Sequence, residues 1–331
     1  MSPNPLRFVL RLILLQVLVV PVAFAQLKVG LVLDKGGKDD KSFNTAAFVG
    51  ATRAQKELGI DLKYVEASDL NALENFHRGF ARKKFDLIIG VGFAQADAVK
   101  KVAAQFPEQK FAVVDAEVSA PNVRALLFEE HEGSFLVGAL AALTSKSGKL
   151  GFIGGMDIPL IRRFEMGYSA GAKKVNPKAT VTVNYIGVTG DAWNNPTKAK
   201  ELALAQFSGG VDVTFVAAGA SGAGAFEAAA TQKKFVIGVD SNQNWMRPGT
   251  VLTSMLKRVD VAVFDTIRDV KEGKFQAGVA RFGLKDKGID YAVDEHNEKL
   301  ITPEAKAKLE QLRADILAGK IKVPDYYQTK K

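Results

Sequence analysis

The sequence predicts an α/β protein of two Rossmann-like lobes with a ligand cleft between them, and three observations carry that prediction. Short β-rich runs alternate with amphipathic segments from Leu27 onward, and the rhythm starts afresh near the middle of the chain. The 331 residues, 47% hydrophobic and 24% charged, have ordinary globular composition and the length of two domains. Connections are short throughout, which favours parallel sheets covered on both faces.

The first 25 residues stand apart. Arg7 and Arg11 precede the apolar run "LILLQVLVV", and Ala23 and Ala25 hold the small-residue positions before Gln26. This is the pattern of a secretory signal peptide, with an apolar run too short to span a bilayer. The first lobe then begins with the strand "LKVGLVLD" and a helix carrying Ala47, Ala51, Ala54 and Leu58 at helical spacing. The strand "DLKYVEA", a helix from about Asn71 to Arg82, "FDLIIGVG", the helical "QADAVKKVAAQF" and "KFAVVDA" follow.

After "VRALLF" the alternation restarts: a helix through "GSFLVGALAAL", the strand "KLGFIGG", a helix around Phe164, "TVTVNYIG", a helix from about Pro196, "VDVTFVAA", a helix near Phe226, and "FVIGVD". Beyond "TVLTSMLK" a helix buries Val263, Phe264, Ile267 and Val270. The tail offers a hairpin, "ARFGLKDKGIDYAV", and a charged helix from about Thr302 to Leu317. The expected division is a signal peptide at 1–25, an N-terminal lobe of 26–127 plus 258–285, and a C-terminal lobe of 128–257 plus 286–331. Pattern alone leaves the tail's lobe open.

The chain has no cysteine, which excludes disulfides, thiolate zinc sites and a lipid-modified cysteine. With no further membrane-length apolar run, the expectation is an exported, periplasmic protein, soluble after cleavage near Ala25 and not a lipoprotein. Net charge is +9, and +7 without Arg7 and Arg11. The lysines lie in scattered pairs such as Lys83–Lys84 and Lys233–Lys234, without interleaved aromatics, so a solvated basic surface is expected and no nucleic-acid partner.

Catalytic signatures are missing. His77, His131 and His296 are read as lying in polar surroundings, and no other histidine stands at ligand spacing. Neither a G-x-S-x-G elbow nor a G-x-x-x-x-G-K-[ST] loop occurs. "AAGASGAGAF" follows a strand and opens a helix, where glycines either let a backbone approach a ligand or simply make a tight turn.

The polar chemistry concentrates at strand ends, where open α/β sheets bind ligands. In "DKGGKDDKSFNTAAF", Asp34 ends the first strand and Ser42 or Asn44 is the expected helix cap. Phe43 between them is either a staple on its own helix or a stacking platform. Asp115 closes "FAVVD", Trp193 sits in "TGDAWNNP", Asp240 closes "FVIGVD" and Lys257 closes "VLTSMLK". Carboxylates and a lysine around two aromatic rings suit a ligand with a flat apolar part and a hydroxyl-rich part.

Five ordered blocks, "DDKSFN", "EEHEGSFLVGALAA", "GFIGGMDIPLIRRFEMGYSAGA", "IGVDSNQ" and "VLTSMLKRVD", make the chain resemble the basic membrane protein family of substrate-binding proteins, the purine nucleoside receptor type that feeds ABC transporters. The resemblance runs from about Leu27 to Tyr291. It implies a type I periplasmic-binding-protein fold holding a nucleoside (adenosine, guanosine or inosine) in the interlobe cleft, an inner-membrane permease as partner, a monomer, no cofactor and no catalysis. Position by position, Phe43 resembles the ring stacked on one face of the base, with Asn44 at the base edge. Trp193 falls where relatives place a phenylalanine on the opposite face. Asp115 resembles the carboxylate reading the base edge, and Gly219 belongs to the glycine segment near the ligand. Asp240 and Lys257 resemble the pair holding the ribose, with Lys257 keeping Asp240 ionised. "SNQ" after Asp240 replaces the "SDQ" usual in relatives, and "AAGASGAG" replaces a Gly-Thr-Gly form. Alternatives are a receptor for ribose or another small polar ligand, a ligand sensor without transport duty, and a nucleoside hydrolase.

Overall fold

A computed structural model describes residues 26–67 and 69–329; the signal-peptide pattern at 1–25 lies outside the described residues. The first sheet takes its strands from β1 (Lys28–Leu33), β2 (Asp61–Glu66), β3 (Leu87–Val91), β4 (Lys110–Val114), β5 (Val123–Phe128) and β11 (Gly278–Phe282). The second takes β6 (Lys149–Met156), β7 (Thr180–Gly187), β8 (Val213–Ala217), β9 (Phe235–Asp240), β10 (Val251–Lys257) and β12 (Ile289–Tyr291). Their orders are β11-β5-β4-β3-β1-β2 and β12-β10-β9-β8-β6-β7, so each strand of one sheet has a counterpart in the other.

All pairings are parallel except that of β12 with β10. The strands read as near-continuous apolar runs because helices cover both faces. Helices α1 (Phe43–Leu58) and α8 (Val259–Lys271) pack together on one face of the first sheet, and α2 (Leu73–Arg82) and α3 (Ala96–Gln105) on the other. The second sheet lies between α4 (Glu130–Thr144) with α5 (Pro159–Val175) and α6 (Pro196–Ser208) with α7 (Gly222–Gln232); α9 (Pro303–Leu317) packs on α4. The α4–α5 contact is close enough to demand glycine: a Cβ on Gly171 would stand 1.8 Å from the carbonyl oxygen of Phe135, and one on Gly138 2.0 Å from that of Tyr168.

The chain passes between the sheets three times, after β5, after β10 and after β11. Backbone bonds tie these crossings together: Glu129 N–H donates to Phe282 O at 2.8 Å and Arg258 N–H to Gly288 O at 2.9 Å. The tail departs from the expected hairpin. β11 runs parallel to β5 in the first sheet and β12 antiparallel to β10 in the second, so the turn-like residues between them form a crossing. The charged helix is α9, capped by the Thr302 hydroxyl accepting from Ala305 N–H.

Candidate functional site

The carboxyl ends of the two sheets face one another across a cavity with about 580 Å³ of space free of protein atoms, open solvent included. Phe43, Asn44, Asp115, Trp193, Gly219, Asp240 and Lys257 all line it, together with Asp34, Asp40, Phe93, Phe164 and other strand-end residues. The structure thus brings the seven candidate ligand-binding residues to one cavity. Correspondence between the sheets places two carboxylates alike: Asp115 follows β4 and Asp240 ends its counterpart β9, each with backbone in the left-handed region at φ 67° and 63°. Holding two non-glycine residues there is costly and aims both side chains off the strand ends.

The loop from Asp34 to Phe43 is wired by its acids. Asp40 accepts from the backbone N–H groups of Ser42, Asn44 and Thr45 at 2.8–2.9 Å and from Asn44 Nδ2 at 3.0 Å. The cap of α1 is therefore Asp40, with neither Ser42 nor Asn44 capping: a carboxylate accepting several donors satisfies the free N–H groups of the first turn better than one hydroxyl. Asn44 Oδ1 accepts from Asp34 N–H at 2.8 Å, so its amide braces the loop while lining the cavity. Phe43 is left half-buried at the cavity wall.

Ser42 has a different task. Its hydroxyl donates across the cleft to Asp240 Oδ2 at 2.6 Å, Ser241 Oγ donates back to Ser42 O at 2.7 Å, and Gln243 Nε2 donates to Lys41 O at 2.9 Å. At the rim Lys35 pairs with Asp191, and Phe93 meets Trp193 edge-on with centroids 6.4 Å apart. Gly219 follows β8 at φ 56°, and a Cβ there would lie 3.3 Å from Trp193 O, so the glycine lets the two loops carrying the wall approach.

Among the described residues the salt bridges of Lys257 are to Asp115 and Glu130, and its charge acts on Asp240 from farther away. Its ammonium lies 2.6 Å from Asp115 Oδ2 and 3.0 Å from Glu130 Oε1, among the rings of Phe43, Phe128 and Phe164 at 5.1–5.7 Å. Burial opposes its charge, but Asp115, Glu130 and Asp240 outweigh burial and hold its proton more firmly than usual. Burial pushes Asp240 up to about 7, against the pull of Lys257 and the Ser42 hydroxyl, so Lys257 does not keep it fully ionised. Burial also pushes Asp115 up to about 6, with Lys257 opposing and Glu130 reinforcing the rise. Asp115 Oδ1 is buried without a hydrogen-bond partner among the described residues.

Sequence reasoning missed Phe93, Asp40, Phe164, Glu130 and the role of Ser42. Phe93 obeys the strand-end rule that found Asp115, since it follows Gly92 at the end of β3. Of the histidines His77 differs from expectation, fully buried and bonding Gln95 Oε1 at 2.8 Å, whereas His131, though buried, lies among the charged groups of Arg163 and Glu129. Burial lowers His77 to about 4, which keeps it neutral in the core.

Chemically, the cavity offers an apolar wall of Leu160, Ile161, Phe164 and Val239, exposed ring surface, and four carboxylates against one ammonium. Such an excess of acceptors suits a neutral ligand rich in O–H and N–H donors. Among the described residues that line it there is no histidine, serine or cysteine.

The family model described as "ABC transporter substrate-binding protein PnrA-like" matches residues 27–326. The chain belongs to that family. It is the family that the sequence blocks resemble. A Listeria monocytogenes relative named "CD4+ T-cell-stimulating antigen" is 37% identical, the match covering 90% of this chain and 88% of the relative. The "ABC transporter nucleoside-binding protein BmpA" of Lactococcus lactis is 33% identical over 90% and 89%. Among solved structures, an ABC transporter solute-binding protein from Aeropyrum pernix aligns with a TM-score of 0.82 at 33% identity, covering 90% of this chain and 94% of that one. The fold is thus the type I periplasmic-binding-protein fold, and the family is one of solute binding.

The expected localisation is corrected by the relatives. One from Pyrococcus abyssi, 34% identical over 80% of this chain, bears the name "Uncharacterized lipoprotein", and one from Borreliella burgdorferi is named "Basic membrane protein A". A missing cysteine excludes only a thioether-linked lipid, so it does not carry the conclusion of a freely soluble chain. Among the described residues no helix is long and apolar enough to cross a membrane.

Proposed function

We propose that this chain captures purine nucleosides in the cleft and presents them to the permease of an ABC transporter. The observation that carries the reading is a cavity joining an aromatic ring from each side, Phe43 and Trp193, to the buried carboxyl groups of Asp115 and Asp240. A flat base between rings gains stacking energy, ~0.5–1.5 kcal/mol beyond its buried area. Hydrogen bonds to the charged groups add ~1.5–3 kcal/mol each. The printed name of the Lactococcus relative, a nucleoside-binding protein, supports the same ligand class.

In this reading Asp115 Oδ1 accepts from the base edge and Asp240 accepts from the vicinal ribose hydroxyls. Lys257 keeps one N–H beyond those facing Asp115 and Glu130, and that donor reaches the ligand. Gly219 lets the backbone of its loop approach, and Asn44 holds the loop that presents Phe43. The lobes 26–127 with 258–285 and 128–257 with 286–331 close by bending at the three crossings, and the closed form is what the permease recognises. Binding and release need no covalent step.

A thermal-shift screen of residues 26–331 against adenosine, guanosine, inosine, cytidine, uridine, adenine and ribose tests the proposal. A ligand at a hundred times its Kd stabilises by about 2.7 kcal/mol. Purine nucleosides should raise the melting temperature; a shift with ribose alone refutes the reading, and release of free base from inosine would make the protein a hydrolase.

A further inference from the structure

Behind the cavity wall a chain of buried charges leads away from the ligand space. Lys257, Glu130 and Arg163 have side chains only 1%, 1% and 2% exposed. Lys257 stands between Asp115 Oδ2 and Glu130 Oε1, and the other oxygen of Glu130 accepts from Arg163 Nη1. Arg163 is held on every side. Nη1 also donates to Phe128 O at 2.5 Å, where β5 ends and the chain crosses; Nη2 donates to Glu129 Oε2 at 2.7 Å and lies 3.0 Å from His131 Nδ1. Its Nε and Nη2 clasp Asp325 of the C-terminal segment at 2.7 and 3.1 Å, with the Tyr327 ring 4.7 Å from Cζ. Neither Glu130 nor Arg163 lines the cavity.

A buried array of this kind is a poor way to stabilise a fold, because desolvating each ion costs several kcal/mol and apolar packing commonly does as well. It is a good way to fix an ammonium. Lysine is a compact charge on a flexible stem, and with Asp115 alone it could bridge both carboxylate oxygens. The charge of Glu130 Oε1, 3.0 Å from the ammonium, also draws it, while Lys257 donates to Asp115 Oδ2; among the described residues neither Glu130 Oε1 nor the buried Asp115 Oδ1 has a hydrogen-bond partner.

We propose that Glu130 and Arg163 are positioning residues for ligand recognition: Glu130 holds Lys257 on one oxygen of Asp115, leaving the other for a ligand donor, and Arg163 anchors Glu130 to the crossing and to the C-terminal segment. The ligand's identity rests on the nucleoside reading above; the positioning device does not.

The groups facing Asp115 are Lys257 from β10, Glu130 from α4, Arg163 from α5, Asp240 from β9 and Tyr327 from the C-terminal segment, with Glu129, His131 and Asp325 around Arg163. Glu130 raises the pH at which Asp115 takes a proton and Arg163 lowers it. The device therefore has a signature that loss of packing lacks. In ligand-free protein, carboxyl ¹³C NMR of Asp115, assigned by its disappearance in Asp115→Asn, should titrate lower in Glu130→Gln and higher in Arg163→Gln, each by roughly half a pH unit or more. Calorimetry with inosine at pH 7 should show roughly tenfold weaker binding in both, the effect of one misplaced hydrogen bond to a charged group.

Shifts in the same direction in Glu130→Gln and Arg163→Gln, no shift, or unchanged inosine affinity would overturn the proposal. If Arg163→Gln does not fold, Asp325→Asn replaces it: loss of that anion should move Asp115 slightly downward, and an upward move overturns the device. Opposite NMR shifts in a protein whose wild type binds no nucleoside would leave the device standing and remove the nucleoside reading.

Discussion

Acidification should weaken nucleoside binding while making the empty protein more stable, and Asp240 is the reason. Burial lifts its carboxyl to about 7, and in the proposed complex it accepts hydrogen bonds from two ribose hydroxyls in its ionised form. At pH 5 only about one molecule in a hundred carries the ionised group, so affinity should fall about 100-fold from its value at pH 8, or ~2.7 kcal/mol at ~1.36 per pH unit. Asp115, also raised by burial, deepens the loss on the acid side where it accepts from the base edge. Stability has the opposite sign. In the unfolded chain Asp240 titrates near ~3.9, so between ~4 and ~7 the folded state holds a proton that the unfolded state lacks. That contribution is present below ~4 and lost as pH rises through ~7. Asp240→Asn mimics the protonated form and should melt above wild type at pH 8, with the gap closing at pH 5. Calorimetry with inosine at four pH values from 5 to 8, beside ligand-free melting of both proteins, measures both effects. Constant affinity across that range, or an Asp240→Asn protein that melts no higher than wild type at pH 8, would refute the electrostatic account of the site.

Ser42→Ala removes the hydroxyl that donates to Asp240 Oδ2 and that holds its carboxyl down, so the pH at which inosine binding is half lost should move upward; an unchanged midpoint would separate Ser42 from the site. Trp193→Ala should weaken purine nucleosides by about tenfold or more through lost stacking and burial, while Trp193→Phe retains most of the affinity; calorimetry reads both, and equal losses would show that the indole acts as packing against Gly155 alone.

The parallel sheets were legible because strands buried on both faces leave continuous apolar runs, and the site was legible because strand carboxyl ends are the places where an α/β sheet can present side chains to a cleft. Asp115 and Asp240 answer to that rule, and Phe93 does too, although the single aromatic after "GVG" carried no polar neighbour to mark it. The tail was misread for a physical reason. "GLKDKG" has the composition of a turn, and only the unpaired edges of β5 and β10, which no local pattern reveals, send β11 and β12 to separate sheets. Glu130 and Arg163 were invisible as partners because their roles depend on distances between residues far apart in the chain: Arg163 joins the segment Phe128, Glu129 and Glu130 to Asp325. Asp40 was missed although its partners Ser42, Asn44 and Thr45 lie within five residues, because Ser42 and Asn44 stand at the usual cap position. That Lys257 would stand between Asp115 and Glu130 was likewise not legible, since two strand ends can lie in one cavity while each salt bridge is decided by which carboxylate stands within about 3 Å.

The central claim is that a nucleoside lies with its base between Phe43 and Trp193 and its ribose on Asp240. A crystal structure of the chain grown with inosine tests it most directly. The account predicts the purine between the two rings, its edge within hydrogen-bond distance of Asp115 Oδ1, and the two ribose hydroxyls on Asp240. A ligand with its sugar against the rings and its base at Asp240, or a cavity that stays empty at saturating inosine, would contradict it.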